Sequence, residues 1–217
     1  MANNNITVLV FILDRSGSMA GLESDTIGGF NAMLDKQKKE AGDGFVTTVL
    51  FDDKCEMLHD RQKLSEIRHI TDQDYTVRGC TALLDAIGST IHHIRNIHKY
   101  CRPEDIPAHT IFVITTDGME NASRSYTAEQ IRQQIEQQKE QGWEFLFLGA
   151  NIDAVQTAKS FGIQEERAVQ FLSDEAGTRL NYETVGCAVS SMRSNRSVGR
   201  EWKKAIEEDF QKRSSRK

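Results

Sequence analysis

The sequence predicts a doubly wound, Rossmann-like α/β fold: a mainly parallel sheet with one antiparallel edge strand and helices on both faces. Two observations predict it. Several segments are near-continuous apolar runs of strand length, the pattern of strands covered on both faces. Helical patterns alternate with them along the chain, as they do in a parallel sheet.

Each element follows in order. "ITVLVFIL" (6–13) is the first buried strand. Ile27, Phe30 and Leu34 recur at helical spacing within 22–40, and "GGF" (28–30) inside that pattern reads as packing. "FVTTVLF" (45–51) is the second strand, "DDK" (52–54) a turn, and "CEMLHDRQKL" (55–64) the antiparallel edge strand. Residues 65–80 read as a loop. From Ala82 the stripe Leu83, Ile87, Ile91 and Ile94 marks a helix that ends before Pro103. "HTIFVITTD" (109–117) is again a buried strand. Thr127 and Gln130 have capping-box spacing and open a helix through Gln141. "WEFLFLGAN" (143–151) is the next buried strand, and 153–161 a short helix stopped by Gly162. "RAVQFL" (167–172) is the last strand. Ser173, followed by Asp174 and Glu175, is expected to cap a helix reaching about Arg193.

The chain has 217 residues, 38% hydrophobic and 27% charged, with two prolines. This is a globular composition without long Pro-rich linkers. The four cysteines, Cys55, Cys80, Cys101 and Cys187, form no C-x-x-C pair and have no histidine at zinc spacing. Free thiols in a reducing compartment are expected. The start "MANNNITVLVFILD" lacks a basic leader, and its apolar run of about eight residues is too short for a signal peptide or membrane span. A cytoplasmic location and no membrane association are expected.

The net charge of −5 is uneven. Residues 193–217 hold nine basic and four acidic side chains, a balance of +5, which leaves −10 on residues 1–192. So acidic a body argues against nucleic-acid binding there. The chain is accordingly read as a main domain, 1–193, and a basic amphipathic C-terminal helix or tail, 194–217. In the tail Trp202, Ile206 and Phe210 repeat at every fourth position. Docking onto its own domain, recruiting another protein and contacting an anionic surface all remain open.

The chemistry gathers at strand ends. Asp14 ends the first strand, and Ser16 and Ser18 follow at every second position. Thr81, in "RGCTALLDA", lies just before a helix. Asp117, in "VITTDGMENAS", ends another strand. The fold class brings such loops to one edge of the sheet. Two carboxylates and three hydroxyls are hard oxygen donors, suited to Mg²⁺, Mn²⁺ or Ca²⁺ and poorly suited to zinc. Glu120 and Asn121 are either supports for these donors or ordinary loop polarity. Gly17 and Gly21 would let the loop turn tightly. His92, His93 and His98 share no helical face and read as solvated or core-edge residues. There is no P-loop motif. Asp14 as a phosphoryl-accepting nucleophile would want a second carboxylate where Ser16 stands.

D-x-S-x-S at 14–18, the separate Thr81, and T-D-G at 116–118, in that order, resemble a von Willebrand factor A-type domain with its metal-ion-dependent adhesion site, of the bacterial or phage-like cytoplasmic kind. The resemblance covers roughly residues 5–190, and beyond Asn151 it rests on fold pattern alone. It implies a divalent ion at Asp14, Ser16, Ser18, Thr81 and Asp117: Mg²⁺, with Mn²⁺ or Ca²⁺ as substitutes. In the family the serines, and in some states the threonine, ligate through neutral hydroxyls, while the aspartates often act through water. An ion held this way stays undersatisfied and accepts an Asp or Glu of a protein partner. The implied function is metal-dependent protein–protein binding, as an adaptor in a multi-protein assembly, without catalysis. A Mg²⁺-dependent hydrolase of phosphate esters, with Asp14, Asp117 and Glu120 as candidate base or nucleophile, and a metal-free scaffold are the alternatives.

Overall fold

The computed structural model describes residues 3–214. Its sheet has the strand order β3-β2-β1-β4-β5-β6, with β1 (Asn3–Asp14), β2 (Asp43–Phe51), β3 (Cys55–Lys63), β4 (Pro107–Thr116), β5 (Glu144–Ala150) and β6 (Ala168–Phe171). All neighbours pair in parallel except β2 and β3, which are antiparallel. The helices are α1 (Glu23–Lys38), α2 (Leu83–Tyr100), α3 (Ala128–Glu140), α4 (Ala154–Ser160), α5 (Glu175–Arg193) and α6 (Lys204–Ser214).

The apolar runs lack a period-two pattern because each central strand is covered on both sides. Leu9, Phe11 and Leu13 of β1 face a core shared with α1 and α5. Val8, Val10 and Ile12 face a second core shared with α2 and α3. Phe11 meets Phe30 edge-on with ring centroids 5.2 Å apart, and Phe112 stacks on Trp143 at 5.3 Å. Each such buried side chain contributes about 1.5–3 kcal/mol relative to exposure. Within α1, Gly29 has no room for a side chain, since a Cβ there would lie 2.5 Å from the Tyr182 ring. The "GGF" stretch is therefore the place where α1 packs closely on α5.

Register positions the site. Asp14 pairs with Phe51 across β1–β2, and Leu13 pairs with Thr115 across β1–β4. Asp14, Asp52 and the Thr116–Asp117 step thus emerge side by side at the carboxyl edge.

Two local expectations need correction. The N-cap of α5 is Asp174, whose Oδ1 accepts the Gly177 N–H at 2.8 Å; the Ser173 hydroxyl is engaged elsewhere. Gly21 has a left-handed φ of 89°, but Gly17 does not. Instead the Gly17 N–H donates to the Gly79 carbonyl at 3.2 Å, tying the serine loop to the segment before Thr81. The capping box forms, with the Thr127 N–H donating to Gln130 Oε1 at 2.9 Å and the Gln130 N–H to Thr127 Oγ1 at 3.3 Å.

The C-terminal segment lies on the domain. Ile206 is buried in the α1/α5 core, and Trp202 packs against the same cluster. Trp202 Nε1 donates to the Glu166 carbonyl at 2.7 Å. Residues 215–217, the basic end of the tail, lie outside the described residues. Among the described residues no helix is long and apolar enough to cross a membrane.

Candidate metal centre

Three hydroxyls form the centre of the carboxyl edge. Ser16 Oγ lies 3.0 Å from Ser18 Oγ, and Thr81 Oγ1 donates to Ser16 Oγ at 3.0 Å. Ser16 and Thr81 are buried and Ser18 is exposed, so the group is open on one side. Gly118 closes another side. A Cβ there would lie 3.0 Å from Thr81 Oγ1 and 3.1 Å from Ser18 Oγ, so a larger residue would crowd the hydroxyls.

Both aspartates flank this group and both are buried, with exposures of 1% for Asp14 and 2% for Asp117. Asp14 Oδ1 accepts the Ser16 N–H at 2.7 Å. Its Oδ2 accepts Thr116 Oγ1–H at 2.6 Å and the Asp117 N–H at 3.3 Å. The Asp117 carboxylate is held from the other side, by Asn151 Nδ2 and by the Ser173 hydroxyl at 2.5 Å. Burial pushes the Asp117 carboxyl above its usual range and the Asp14 charge adds to this, while Ser173 and Asn151 pull it down. The structure therefore brings Asp14, Ser16, Ser18, Thr81 and the Asp117 backbone together. The Asp117 carboxylate itself leans toward the ends of β5 and β6.

Glu120 and Asn121 hold loops in place. Glu120 Oε1 accepts the Ala122 and Ser123 N–H groups at 2.9 and 2.7 Å, and its Oε2 accepts the Leu84 N–H at 2.9 Å. This carboxylate pins the loop after β4 to the start of α2. Asn121 binds the Thr81 backbone directly: the Thr81 N–H donates to Asn121 Oδ1 at 2.9 Å.

The sequence reading misses a brace beneath the loops. Asp52 is fully buried and its Oδ2 accepts Arg15 Nε at 2.9 Å and Arg78 Nε at 2.8 Å. Burial alone would raise its pKa, but Arg78, the Lys54 amide and Arg15 together hold it below the usual carboxylate range. The Arg78 N–H donates to the Arg15 carbonyl at 2.9 Å, and the Ala82 N–H to the Asp52 carbonyl at 2.8 Å. One buried ion pair thus fixes the serine loop against the Thr81 loop. The bonds of Thr116, part of the T-D-G motif, to Asp14 and of Asn151 and Ser173 to Asp117 are also missed. Asn151 and Ser173 follow strand ends at the same edge, which is the signal that could have found them.

The donor set fits a hard divalent ion on two counts. First, among the described residues neither Asp14 nor Asp117 is in an ion pair, and the adjacent Arg15 turns away to Asp52. Two buried carboxylates without a cation are costly, and a dication would compensate them. Second, the 3.0 Å separations are hydrogen-bond distances that also match the edge, about 3.0 Å, of an oxygen octahedron with bonds of about 2.1 Å. The hydroxyls can exchange one another for an ion without moving apart. Among the described residues no group of three or more His, Cys, Asp or Glu side chains gathers as a ligand set. His93 instead meets Asp60 at 2.8 Å, and His92 meets Asn96 at 2.8 Å.

No protein-family model and no curated protein sequence matches the chain. Solved structures match its fold at low identity. Proximal thread matrix protein 1 from the mussel byssus superposes with a TM-score of 0.60 at 14% identity, over 86% of this chain and 46% of that one. This chain thus spans less than half the length of the mussel protein. Another structure of that protein has a zinc-occupied metal-ion-dependent adhesion site motif and matches with a TM-score of 0.59 at 14% identity, over 85% of this chain and 46% of that one. The von Willebrand factor domain of the type V pili tip protein Mfa5 from Porphyromonas gingivalis matches with a TM-score of 0.58 at 11% identity, over 85% of this chain and 96% of that one. The chain has the von Willebrand factor A fold.

Proposed function

We propose that this von Willebrand factor A fold serves as a divalent-metal-dependent protein-binding module, with Asp14, Ser16, Ser18, Thr81 and Asp117 holding the ion. The observation that carries the reading is the open group of three hydroxyls beside two buried carboxylates that, among the described residues, pair with no cation. The zinc-occupied motif in the mussel protein of the same fold supports it. Ser16, Ser18 and Thr81 supply neutral oxygens. Asp14 and Asp117 supply charge from positions fixed by Thr116, Asn151 and Ser173. When bound, a hard dication there, Mg²⁺ in our reading, would present uncompensated charge on the solvent side to an Asp or Glu of the partner.

Adaptor work without catalysis is the reading we favour. A phosphate-ester hydrolase would need a free base near the ion, and the Glu120 carboxylate is already spent on backbone amides. The exposed thiols of Cys55, Cys80 and Cys187 support a reducing, cytoplasmic setting.

Calorimetric titration with Mn²⁺ tests the ion site. One ion per chain is expected for wild type and none for the folded Ser16→Ala/Ser18→Ala variant. Pull-down in Mg²⁺ and in EDTA then tests the bridge, and partner recovery equal in the two conditions would overturn it.

A further inference from the structure

At the opposite edge of the sheet a cleft of about 440 Å³ opens between the end of α2, the start of β4 and the turn after α3. The ten residues of β4 separate it from the metal centre by about 30 Å. Its volume is within the range of small-molecule sites.

Three features set it apart from an ordinary surface hollow. Its lining includes Arg95 and Lys99 and no carboxylate, although residues 1–192 carry a net −10. Among the described residues neither cation is in an ion pair. Arg95 touches His92 at 3.3 Å, and Lys99 lies 5.2 Å from the centre of the Tyr100 ring. Second, Gln138, only 4% exposed, and His98 both line the cleft, and the Nε2 of His98 is buried with no hydrogen-bond partner among the described residues. A ring nitrogen so placed is expensive to leave unsatisfied. Third, the aromatic wall is rigid. Trp143 is stacked on Phe112 at 5.3 Å and held edge-on by His98 at 5.2 Å.

The place of Arg95 and Lys99 near the end of α2 suits the helix dipole. That accounts for the cations but not for the unpartnered His98 nitrogen or for the apolar floor beside them. Burial holds His98 at a pKa of about 4, so the imidazole is neutral near neutral pH and the cleft's charge comes from Arg95 and Lys99.

We propose that this cleft binds a small organic anion with a planar apolar body. The acidic group pairs with Arg95 and Lys99, the body rests on Trp143 and Pro107, and a polar substituent reaches Gln138. This site is independent of the metal centre.

The probe is 8-anilinonaphthalene-1-sulfonate, with N-phenyl-1-naphthylamine as its uncharged counterpart, titrated into the full chain by fluorescence and calorimetry. One saturable site per chain is expected for the sulfonate. Arg95→Gln/Lys99→Gln should weaken it by about tenfold or more with an unchanged melting temperature, because both side chains reach solvent. The uncharged probe should not distinguish wild type from this variant. Gln138→Leu should weaken the sulfonate several-fold; should that variant not fold, the double variant alone decides. Sulfonate affinity within about twofold of wild type in the double variant would overturn the proposal. So would loss of binding in EDTA, which would place the probe on the metal face.

Discussion

Asn121 grips Thr81 at both backbone groups: the Thr81 N–H donates to Asn121 Oδ1 at 2.9 Å, and the Thr81 carbonyl accepts the Asn121 N–H at 3.0 Å. The side chain of the loop after β4 thereby sets where the Thr81 hydroxyl meets Ser16. Asn121→Ala leaves the Thr81 N–H unpaired. A stability loss of about 1–2 kcal/mol is expected, with weaker Mn²⁺ binding. Asn121→Asp keeps the acceptor and should retain more of both. Urea unfolding and calorimetry check this, and wild-type Mn²⁺ affinity in the alanine variant would show that Thr81 needs no such clamp.

Asp14→Ala and Asp14→Asn should part company. The alanine strands the Ser16 N–H and the Thr116 hydroxyl, both bonded to the Asp14 carboxylate, and a loss of about 1–3 kcal/mol is expected. The asparagine keeps most of the geometry and removes the charge. Both variants should lose Mn²⁺ binding, while only the alanine should melt clearly lower. An asparagine variant that binds Mn²⁺ at wild-type affinity would remove Asp14 from the ion site.

Ile206→Ala tests whether the C-terminal helix belongs to the fold in solution. Ile206 is 2% exposed within the α1/α5 core. A stability loss of about 2–4 kcal/mol is expected, with Mn²⁺ affinity unchanged. A loss below about 0.5 kcal/mol would mean that the helix is undocked in solution.

His59 makes stability depend on pH. Burial, helped by the Arg68 charge and opposed by Asp74, lowers its pKa to about 4 in the folded chain, against about 6.5 when unfolded. As pH falls below about 6.5 the unfolded chain takes up a proton that the folded chain refuses. Stability should therefore be full above that pH and decline until about 4, where the folded imidazole also protonates. The contribution at stake is on the order of 3 kcal/mol. Urea unfolding across this window should show a flatter profile for His59→Phe. Parallel profiles for the two proteins would contradict the assignment.

The strands and helices are legible because burial on both faces leaves an unmistakable apolar run, and because Thr127 and Gln130 are close neighbours in sequence. Asp14 and Asp117 are legible because each interrupts such a run. The brace at Asp52 is not. "DDK" reads as a turn, and nothing local says that Asp52 is buried while Asp53 is exposed. That difference comes from the β1–β2 register, which sets Asp14 beside Phe51 and so carries Arg15 to Asp52. Ser173 is hidden for another reason: followed by Asp174, it resembles a helix cap, and only the three-dimensional neighbourhood gives its hydroxyl to Asp117.

The last strand has a consequence for solubility. β6 is four residues long and stands at the margin of the sheet, where unpaired peptide groups can recruit a strand from another molecule. Here that margin is clasped. Lys203, 1% exposed, donates to the Glu165 and Ala168 carbonyls at 2.7 and 2.8 Å, and Arg167 reaches across to the Val198 carbonyl at 2.5 Å. The basic segment that looks like a detachable tail thus covers this margin, and a chain cut short before it would leave the β6 edge open to a strand from another molecule.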